Sequence, residues 1–441
     1  MGIFTRRRFV CGMTAATLSV PTFLRSIRAE AASPYIFVIC QFDGGNDGYN
    51  TVLYLPEYAT GYQGQRANIA IPLTPSDPHN GLATDVQTAG TAFDPTTANP
   101  PSSNSQYAFN PYMPELRAMY GQGDVAVIAG VGLPPTELSR EGHEQAKFDQ
   151  YTGTINSFDD INNGWFGTAI DQLNIPGGVL PSMLSLNGSL PLTMRGVTSV
   201  PLVIGSQNLS QVSPNVGPSG SVGFADIKLD GAYANAAMPA EFARALQNAT
   251  LTYVSQLNAY GNAVPASTYN TTYTSPGGSS NTSYLGSQLN QVARLILAGA
   301  PTKGYYVYTG GFDSHSGQNP GQSDLLGDFS QATSQFFTFL KAQNPGIAQN
   351  VVLMTFSDFG RRAYSNSTAG TDRGTATVHF VMGPPVKGGV YGAWASMSNL
   401  DGNGDTLIQV DFRNQLSDII QAMGADPTPI VGKTYPKLGF I

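Results

Sequence analysis

Short apolar runs rich in β-branched residues alternate along the chain with segments of helical periodicity. A continuous apolar run predicts a strand that is buried on both faces, as in a parallel sheet. The helical segments place apolar residues three and four positions apart, which predicts one buried face. Strands that alternate with helices predict an α/β fold with a mostly parallel sheet. The predicted strands are Ile36–Cys40, Val125–Ala129, Tyr305–Tyr308, Val351–Phe356 and Val378–Met382, and the predicted helices are Pro239–Tyr260, Ser287–Leu297, Asp324–Leu340 and Asp411–Met423.

Two tracts rich in Pro, Gly, Ser, Thr and Asn interrupt this alternation, one near residues 74–105 and one near 193–230. We interpret both as insertions that cross the surface near the strand ends, where ligand-contacting loops usually lie. The sequence of residues 267–283, rich in Ser, Thr, Asn and Gly, predicts a mobile loop before the next helix. The sequence shows no internal repeat, and it predicts a single domain over residues 32–441.

The first 31 residues have the features of an export signal. Arg6, Arg7 and Arg8 precede an aromatic residue, a modest apolar stretch follows, and Ala29-Glu30-Ala31 supplies small residues for cleavage. This order predicts a twin-arginine signal peptide that is recognised by the twin-arginine translocase, and hence a periplasmic or secreted protein. A short basic amphipathic helix is the alternative interpretation.

Charge and hydropathy exclude two classes of partner. The 441 residues contain 29 acidic and 22 Lys or Arg residues, for a net charge of -7, so we expect no nucleic-acid partner. Beyond the N-terminal segment no run approaches the roughly 20 apolar residues of a membrane-spanning helix, so we expect no stable span in the mature chain. Cys40 lies in an apolar run and has no second cysteine after signal removal, which predicts a buried structural thiol.

Four loops combine acidic residues with glycine, and three of them also contain histidine or arginine. Residues 42–51, 310–315 and 356–362 follow predicted strands, and residues 370–374 precede the last one. Because the carboxyl ends of parallel strands meet at one edge of the sheet, we expect these loops to lie together. Carboxylates and imidazole are ligands of divalent metals, and glycine lets the backbone approach closely, so the four loops predict a shared metal site. Each loop taken alone is also an ordinary turn.

Two histidines and two arginines add candidate chemistry. His143 begins a helix-like segment, which suits a metal ligand or a proton donor, with helix capping as the alternative. His379 lies inside a predicted strand, which favours a hydrogen-bonded core residue. Arg361 and Arg362 have the geometry to bind an anionic substrate, or one of them holds a neighbouring carboxylate.

Taken together, these motifs resemble the domain of unknown function 1501 family. Its members are twin-arginine-exported bacterial proteins of unsettled activity, related to the alkaline phosphatase/sulfatase superfamily. The resemblance spans nearly the whole mature chain. In chain order it rests on Gly44-Gly45-Asn46-Asp47-Gly48-Tyr49-Asn50-Thr51, on His143 with Thr152-Gly153, on Gly164-Trp165-Phe166-Gly167, on Gly311-Phe312-Asp313-Ser314-His315 with Gln318, on Phe356-Ser357-Asp358-Phe359-Gly360-Arg361-Arg362, on Gly370-Thr371-Asp372, on Val386-Lys387-Gly388-Gly389 and on Asp411-Phe412-Arg413.

The resemblance implies a three-layer α/β/α sandwich of alkaline phosphatase type, with a metal-supported hydrolytic site at the strand ends. A divalent metal (Zn, Mg or Ca) would polarise a phosphoryl or sulfuryl oxygen and lower the pKa of a nucleophile, for which Thr51 is the candidate. Arg361 or His143 would neutralise charge in the transition state. The metal ligands that the resemblance implies are Asp47, Asp313, His315, Asp358 and Asp372.

The chain departs from the family pattern at three positions: Gly142 precedes His143 where the family usually has serine, Asp358 stands in place of the usual glutamate, and the third position is Arg373. The family usually has Gly-Thr-Asp-His-Gly, whereas Arg373 stands at the histidine position here. A guanidinium in place of an imidazole removes a ligand and repels a cation, which favours a one-metal or inactive site over a two-metal site.

Two functions follow from these observations. The first is an exported metal-dependent hydrolase of phosphate or sulfate esters, acting on a small-molecule or polysaccharide ester. The alternative is a catalytically eroded binding or assembly protein of the cell envelope that recognises carbohydrate or a surface polymer. A serine esterase is disfavoured because no Gly-x-Ser-x-Gly elbow precedes a helix.

Overall fold

The computed structural model describes residues 33–71, 86–87, 107–134, 142–155, 163–173, 182–199, 201–204, 215–216, 222–223, 255–264, 269–275 and 277–441. The predicted signal peptide, most of the 74–105 tract, much of the 193–230 tract and most of the predicted helix Pro239–Tyr260 lie outside the described residues. Residues 35–441 form one compact unit.

The strands, in chain order, are β1 (Ile36–Asp43), β2 (Val52–Tyr54), β3 (Val86–Gln87), β4 (Tyr107–Phe109), β5 (Val125–Gly132), β6 (Met183–Ser185), β7 (Leu202–Val203), β8 (Asn215–Val216), β9 (Val222–Gly223), β10 (Thr272–Thr274), β11 (Ser280–Thr282), β12 (Gly304–Gly310), β13 (Val351–Ser357), β14 (Gly360–Arg361), β15 (Arg373–Gly374), β16 (Ala376–Met382), β17 (Gly389–Gly392) and β18 (Val410–Asp411).

The α-helices, in chain order, are α1 (Gly48–Thr51), α2 (Gln63–Gln65), α3 (Pro114–Gly121), α4 (His143–Thr152), α5 (Trp165–Leu173), α6 (Tyr284–Leu297), α7 (Gln318–Gln343), α8 (Pro345–Ala348), α9 (Phe412–Met423) and α10 (Thr428–Val431). A helical segment also covers residues 255–263. Single 3₁₀ turns lie at Leu55–Glu57 and Leu192–Met194, and a π turn lies at Tyr58–Tyr62.

The central sheet of the described fold has the strand order β17, β5, β16, β13, β1, β12, β6, β7, and β18 also pairs with β5. Strand β1 pairs in parallel with β12 on one side and β13 on the other. Only β16 runs against its neighbours within this sheet, since it pairs antiparallel with both β13 and β5. The prediction of an α/β fold with a mostly parallel sheet is therefore confirmed, and all five predicted strands are present.

The sheet is buried on both faces. Successive strand residues point to opposite sides, so each strand contributes side chains to two cores. In β1, Val38 and Cys40 pack into one apolar core together with residues of α3, α6 and α7. Phe37 and Ile39 pack into a second core together with residues of α5 and α9. The described fold is thus a three-layer α/β/α sandwich, and the continuous apolar pattern of the strands reflects this double coverage.

Cys40 confirms the prediction of a buried structural thiol. It is fully enclosed and free, and burial raises the pKa of its thiol far above the ordinary range. A thiol held in its protonated form by an apolar surrounding is a poor nucleophile.

The three predicted helices that lie within the described residues are present. Helices α6 and α7 are longer than predicted, and α9 begins one residue later than predicted. Helix α6 begins after Ser283, whose side chain accepts a hydrogen bond from the Gly286 amide. Helix α9 begins after Asp411, which accepts from the Arg413 amide, so the predicted N-cap is confirmed. None of the helices in the described part of the chain has the length and hydropathy of a membrane-spanning segment.

The segment predicted as a mobile loop, residues 267–283, contains regular structure in its described part, which the sequence analysis did not predict. Strands β10 and β11 form an antiparallel hairpin there, with Thr272 opposite Thr282. Gly278 lies between the two strands and has a φ of 79°, which glycine adopts without strain. The many threonines of this segment have the β-branching that strands favour, and this signal outweighs its polarity.

Candidate functional site

The four predicted loops meet at the carboxyl edge of the sheet. Strands β1, β12 and β13 are direct neighbours, so their following loops leave the sheet side by side. The fourth loop joins them because β16 runs in the opposite direction, which places its beginning at this edge. The prediction that these loops lie together is confirmed.

A single guanidinium connects all four loops. Arg361 donates to the carbonyl oxygens of Gly44, Gly45 (2.8 Å), Phe312 (3.0 Å) and Thr371 (2.8 Å). Its side chain is fully buried. Burial lowers the pKa of this guanidinium, and the ion pair described next opposes that shift.

Arg361 also forms an ion pair with Asp313, with Nη2 at 2.8 Å from Oδ1. The structure therefore supports the interpretation that one of the two arginines holds a neighbouring carboxylate. With its donors directed at backbone carbonyls and at Asp313, Arg361 organises the loops. Its role in neutralising a transition state stays a prediction.

Asp47 lies within a dense set of local contacts. Its Oδ1 accepts from the amides of Tyr49 and Asn50 and caps the short helix α1. Its Oδ2 pairs with Arg66 at 2.5 Å and accepts from Gln318, with both members of the ion pair fully buried. Amides and a guanidinium thus satisfy this carboxylate, and the structure brings it into no contact with the other four predicted ligands among the described residues.

Thr51 is fully buried, and its hydroxyl contacts Asn46 Oδ1 at 2.9 Å and the Asp47 carbonyl oxygen at 2.7 Å. These contacts anchor the end of α1. The nucleophilic role of Thr51 stays a prediction, and this geometry gives it no support because the hydroxyl does not face an open surface.

The other four predicted ligands form a linear series with His143. We define the carboxylate–imidazole chain as Asp358, His143, Asp313, His315 and Asp372, in order of contact. His143 Nδ1 lies 2.9 Å from Asp358 Oδ2, and its Nε2 lies 3.4 Å from Asp313 Oδ2. His315 continues the series with contacts of 3.0 Å to Asp313 and 3.1 Å to Asp372.

Asp358 is the buried end of this chain. It follows β13 directly, its side chain has no exposed area, and its Oδ2 also accepts from the Gly44 amide at 3.2 Å. Burial raises the pKa of this carboxyl, although the hydrogen bond from His143 and the charge of Lys147 act in the opposite direction. Its second oxygen, Oδ1, is buried and has no hydrogen-bond partner.

Asp313, His315 and Asp372 form the exposed end, with 43–51% of each side chain accessible. Burial acts to raise the pKa of Asp313, but the hydrogen bond and charge of Arg361 dominate and lower it. Burial acts to raise the pKa of Asp372 as well, but the hydrogen bonds from His315 and Asn366 and the charges of His315 and Arg362 together outweigh it and lower the pKa. Both groups are therefore carboxylates at neutral pH.

His143 connects the buried and exposed ends. It is the first residue of α4, and the preceding Gly142 provides no side-chain cap. Its ring lies 4.7 Å from the ring of Phe359, and 19% of its side chain is exposed. Since both ring nitrogens face carboxylates, the alternative of a helix-capping histidine is not what the structure shows.

Two further residues of this site were not predicted from the sequence. Lys147 lies one turn after His143 on α4, and its Nζ is 2.6 Å from Asp43 Oδ1 and 3.8 Å from Asp358 Oδ2. Asp43 ends β1 and accepts from the Tyr308 hydroxyl at 2.9 Å. The spacing of His143 and Lys147 at i and i+4 was the available signal, because such residues share one helix face.

A cavity of about 430 Å³ adjoins the site. It shares Asp43 and Lys147 with the residues described above, and Lys147 is the one basic side chain in its wall. Its other lining residues are aromatic, polar or aliphatic: Gln41, Glu144, Phe148, Tyr151, Asn187, Ser189, Leu190, Pro191, Leu192, Tyr306 and Tyr308.

The residues at this edge do not fit the predicted divalent metal. Among the described residues, no group of three or more His, Cys, Asp or Glu side chains is arranged to hold an ion. The chemistry of the donors gives the reason: Asp47, Asp313 and Asp43 each have a basic partner within 3 Å. The chemistry that this arrangement supports is that of carboxylates, imidazoles and an ammonium group.

Three other residues considered in the sequence analysis, His379, Arg373 and Arg362, contact neighbouring residues of the fold. His379 is fully buried on β16, with Nδ1 at 2.7 Å from Gln415 Oε1, so the prediction of a hydrogen-bonded core residue is confirmed. Arg373, at the family histidine position, lies with its guanidinium carbon 5.9 Å from the centre of the Phe359 ring. Arg362 contacts Asp405 at 3.5 Å.

Solved structures with a similar arrangement belong to the alkaline phosphatase and sulfatase superfamily. A protein of the alkaline phosphatase superfamily from Vibrio parahaemolyticus is 9% identical, with 91% of this chain and 71% of that chain covered and a TM-score of 0.37. The PsFucS1 sulfatase from Pseudoalteromonas sp. is 12% identical, with coverages of 89% and 68% and a TM-score of 0.34. The alkaline phosphatase of the Antarctic bacterium TAB5 is 9% identical, with coverages of 88% and 98% and a TM-score of 0.34. At these identities and scores, the likenesses carry no inference about chemistry.

Sequence comparison gives a more direct result. A search of curated proteins finds no match to this chain. Residues 233–435 match the family model described as "Protein of unknown function (DUF1501)". This match covers the Gly311–His315, Phe356–Arg362 and Gly370–Asp372 motifs, and it confirms the resemblance to the DUF1501 family over these residues.

Proposed function

We propose that the chain is a hydrolase of phosphate or sulfate esters, with His143 as its proton-transfer residue. The observation that carries this proposal is the placement of the His143 imidazole between a buried carboxylate, Asp358, and a half-exposed one, Asp313. A buried carboxylate that fixes one ring nitrogen orients the other toward the reacting groups, as in other acid–base sites.

The proton balance of hydrolysis can be followed through this chain. A water molecule attacks phosphorus or sulfur, and the bond to the leaving alcohol oxygen breaks. The imidazolium of His143 donates its Nε2 proton to that oxygen, while Asp313 accepts the proton released by the water. His143 Nε2 and Asp313 Oδ2 lie 3.4 Å apart and form no hydrogen bond in the structure, so in this proposal a solvent water carries the proton from Asp313 back to His143 and restores both groups for the next cycle.

The adjoining cavity is the proposed substrate site. Lys147 lines its wall and supplies a positive charge for an anionic ester group. Asp43 holds this ammonium at 2.6 Å, and Tyr308 in turn holds Asp43, so the ammonium is positioned before a ligand enters. Such positioning reduces the entropy that must be lost on binding.

A second candidate function is favoured by one specific observation. Basic side chains neutralise Asp47, Asp313 and Asp43, and Arg373 stands where the family usually has histidine. Both features disfavour a bound metal, so this chain would have lost a metal-dependent activity that its ancestor had. In that case the protein binds carbohydrate or a surface polymer of the cell envelope without turning it over.

The decisive experiment measures turnover of an aryl phosphate, an aryl phosphodiester and an aryl sulfate by the purified mature protein. Each assay is run with chelator, and with added Zn²⁺, Mg²⁺ or Ca²⁺, which tests the predicted metal dependence separately. We expect His143→Gln to reduce turnover by about 10²- to 10⁴-fold, the usual contribution of a general acid or base. Asp358→Asn should give a similar loss while leaving the fold intact.

Gln145→Ala, on the same helix, is the matched control and should retain activity, since this side chain donates a hydrogen bond to Asp149 at 2.9 Å. The hydrolase proposal fails if the folded protein turns over none of the esters under any metal condition. Retained activity in His143→Gln would instead remove the proposed role of the imidazole.

We also propose that the chain is exported by the twin-arginine translocase, on the basis of its N-terminal sequence. Replacing Arg7 and Arg8 together with lysine should leave the precursor in the cytoplasmic fraction, because the translocase recognises the arginine pair. Cell fractionation and immunoblotting compare this variant with the unchanged chain. Equal export of both would contradict the proposed route.

A further inference from the structure

The pair formed by Asp43 and Asp358 presents an unusual concentration of negative charge. Strands β1 and β13 are adjacent and parallel, with Phe42 opposite Ser357, so the two carboxylates leave the sheet at neighbouring positions. Adjacent strands lie about 4.8 Å apart. One ammonium group, from Lys147, contacts both carboxylates.

We infer that Lys147 acts as an internal counter-cation, which occupies the position of a divalent metal between Asp43 and Asp358 and thereby excludes the metal. This inference does not depend on the proposed hydrolysis, because it concerns which cation the two carboxylates hold.

The orientation of the acceptors supports this role. Asp43 directs Oδ1 at Nζ of Lys147, while its Oδ2 accepts from the hydroxyl of Tyr308 and is thereby fixed in place. Asp358 directs Oδ2 toward the same ammonium and toward Nδ1 of His143. Two carboxylates and an imidazole are ligand types that zinc uses, although with Lys147 between them the described side chains are not arranged around an ion.

A second observation points independently to a cation. Oδ1 of Asp358 has no hydrogen-bond partner, and the residue is fully buried. Buried carboxylate oxygens are almost always satisfied, because leaving one unpaired costs free energy. An unused oxygen on a buried carboxylate beside a shared ammonium is available to a metal ion that takes the ammonium's place.

The charge of the ammonium opposes a second cation at this position. Nζ of Lys147 lies 2.6 Å from Asp43 Oδ1 and 3.8 Å from Asp358 Oδ2, and a lysine ammonium carries a positive charge. A divalent ion must therefore displace a positive charge before it binds. Removing the ammonium should leave two carboxylates with no cation between them.

The test measures Zn²⁺ binding to the full mature protein by isothermal titration calorimetry, with thermal shift as a second readout. We expect Lys147→Met, which keeps an unbranched side chain one atom shorter and removes its charge, to bind Zn²⁺ at least tenfold more tightly than the unchanged protein. Lys147→Arg retains a cation and should show no gain. The double variant Lys147→Met with Asp43→Asn should lose the gain, which assigns the new site to this carboxylate pair.

Three outcomes would overturn the inference: tight Zn²⁺ binding by the unchanged protein at this pair, no gain in Lys147→Met, or a gain that persists when Asp43 is replaced. Circular dichroism establishes that each variant is folded. If Lys147→Met does not fold, Lys147→Gln provides the same removal of charge with a polar end group. Because binding is the readout, failure here leaves the hydrolysis proposal standing, and failure of hydrolysis leaves this inference standing.

Discussion

The buried imidazole of His379 leads to a quantitative prediction about acid stability. Its Nε2 accepts from the Ser357 amide at 3.2 Å and its Nδ1 faces Gln415, so the neutral ring is the form that fits this core. Burial lowers the pKa of His379 to about 4 from 6.5, although the hydrogen bond to Gln415 opposes this shift. Between these two pH values, the ring of His379 is therefore protonated in the unfolded chain and neutral in the folded one.

The sign of the effect follows from this difference. Above pH 6.5 the ring is neutral in both states, and the stability that depends on it is fully present. As the pH falls from about 6.5 to about 4, the unfolded state takes up a proton that the folded state refuses, so stability is lost. The difference of about 2.5 pKa units, at 1.36 kcal/mol each, corresponds to roughly 3 kcal/mol.

Two buried carboxyls act in the opposite direction over the same range. Burial raises the pKa of both Asp328 and Asp418 to about 6. Each binds a proton in the folded state before the unfolded state does, so each contribution to stability increases as the pH falls from about 6 toward 4. The pH profile of the unchanged protein is therefore a sum of opposing effects, and only a comparison with a variant isolates His379.

The assay is denaturant unfolding of the unchanged protein and His379→Gln at a series of pH values from 4 to 8. Glutamine can accept from the Ser357 amide and cannot titrate. The stability of the unchanged protein relative to this variant should fall by roughly 3 kcal/mol between pH 7 and pH 4. Val378→Ala, on the same strand, is the matched control, because loss of a buried methyl pair lowers stability equally at every pH. A constant difference between the unchanged protein and His379→Gln across this range would refute the reasoning.

Two buried guanidinium groups give further predictions. Arg361→Met leaves the carbonyls of three loops unpaired and should lower the free energy of unfolding by about 3–5 kcal/mol, measured by denaturant titration. Arg362→Met, at a partly exposed ion pair, is its control and should cost about 1 kcal/mol or less, so equal losses would contradict the bridging role. Arg66→Met leaves Asp47 buried without its cation and should also cost about 3–5 kcal/mol. Adding Asp47→Asn should recover part of this loss, and a fully additive double variant would show that the two residues do not interact.

The sequence alone determined the architecture of this protein. The apolar runs correctly predicted five strands of the central sheet, because a strand buried on both faces must be apolar throughout. These strands are β1, β5, β12, β13 and β16. Helix periodicity predicted α6, α7 and α9, and the cap at Asp411 was identifiable because a carboxylate before a periodic segment satisfies the free amides of the first turn. The convergence of the three loops that follow β1, β12 and β13 also followed from the sequence, since parallel strands end at a common edge. The fourth loop reaches this edge because β16 is antiparallel, which only the structure shows.

Only the tertiary structure shows which partner each charged residue contacts. Asp47 and Asp358 both follow strands in similar loops, yet one is paired with Arg66 and the other with His143. The sequence separation of these partners varies from 19 to 215 residues. Composition and spacing along the chain contain no information about such pairing.

Arg361 and Lys147 show the physical reason most clearly. The sequence indicated where negative charge gathers, and a divalent metal was one way to neutralise it. A guanidinium on an adjacent loop and an ammonium on α4 neutralise it instead, because folding brings both within hydrogen-bond distance of the carboxylates. Local sequence specifies the strands and the loops, whereas the identity of the balancing cation depends on which distant side chains the packed layers bring to the edge of the sheet.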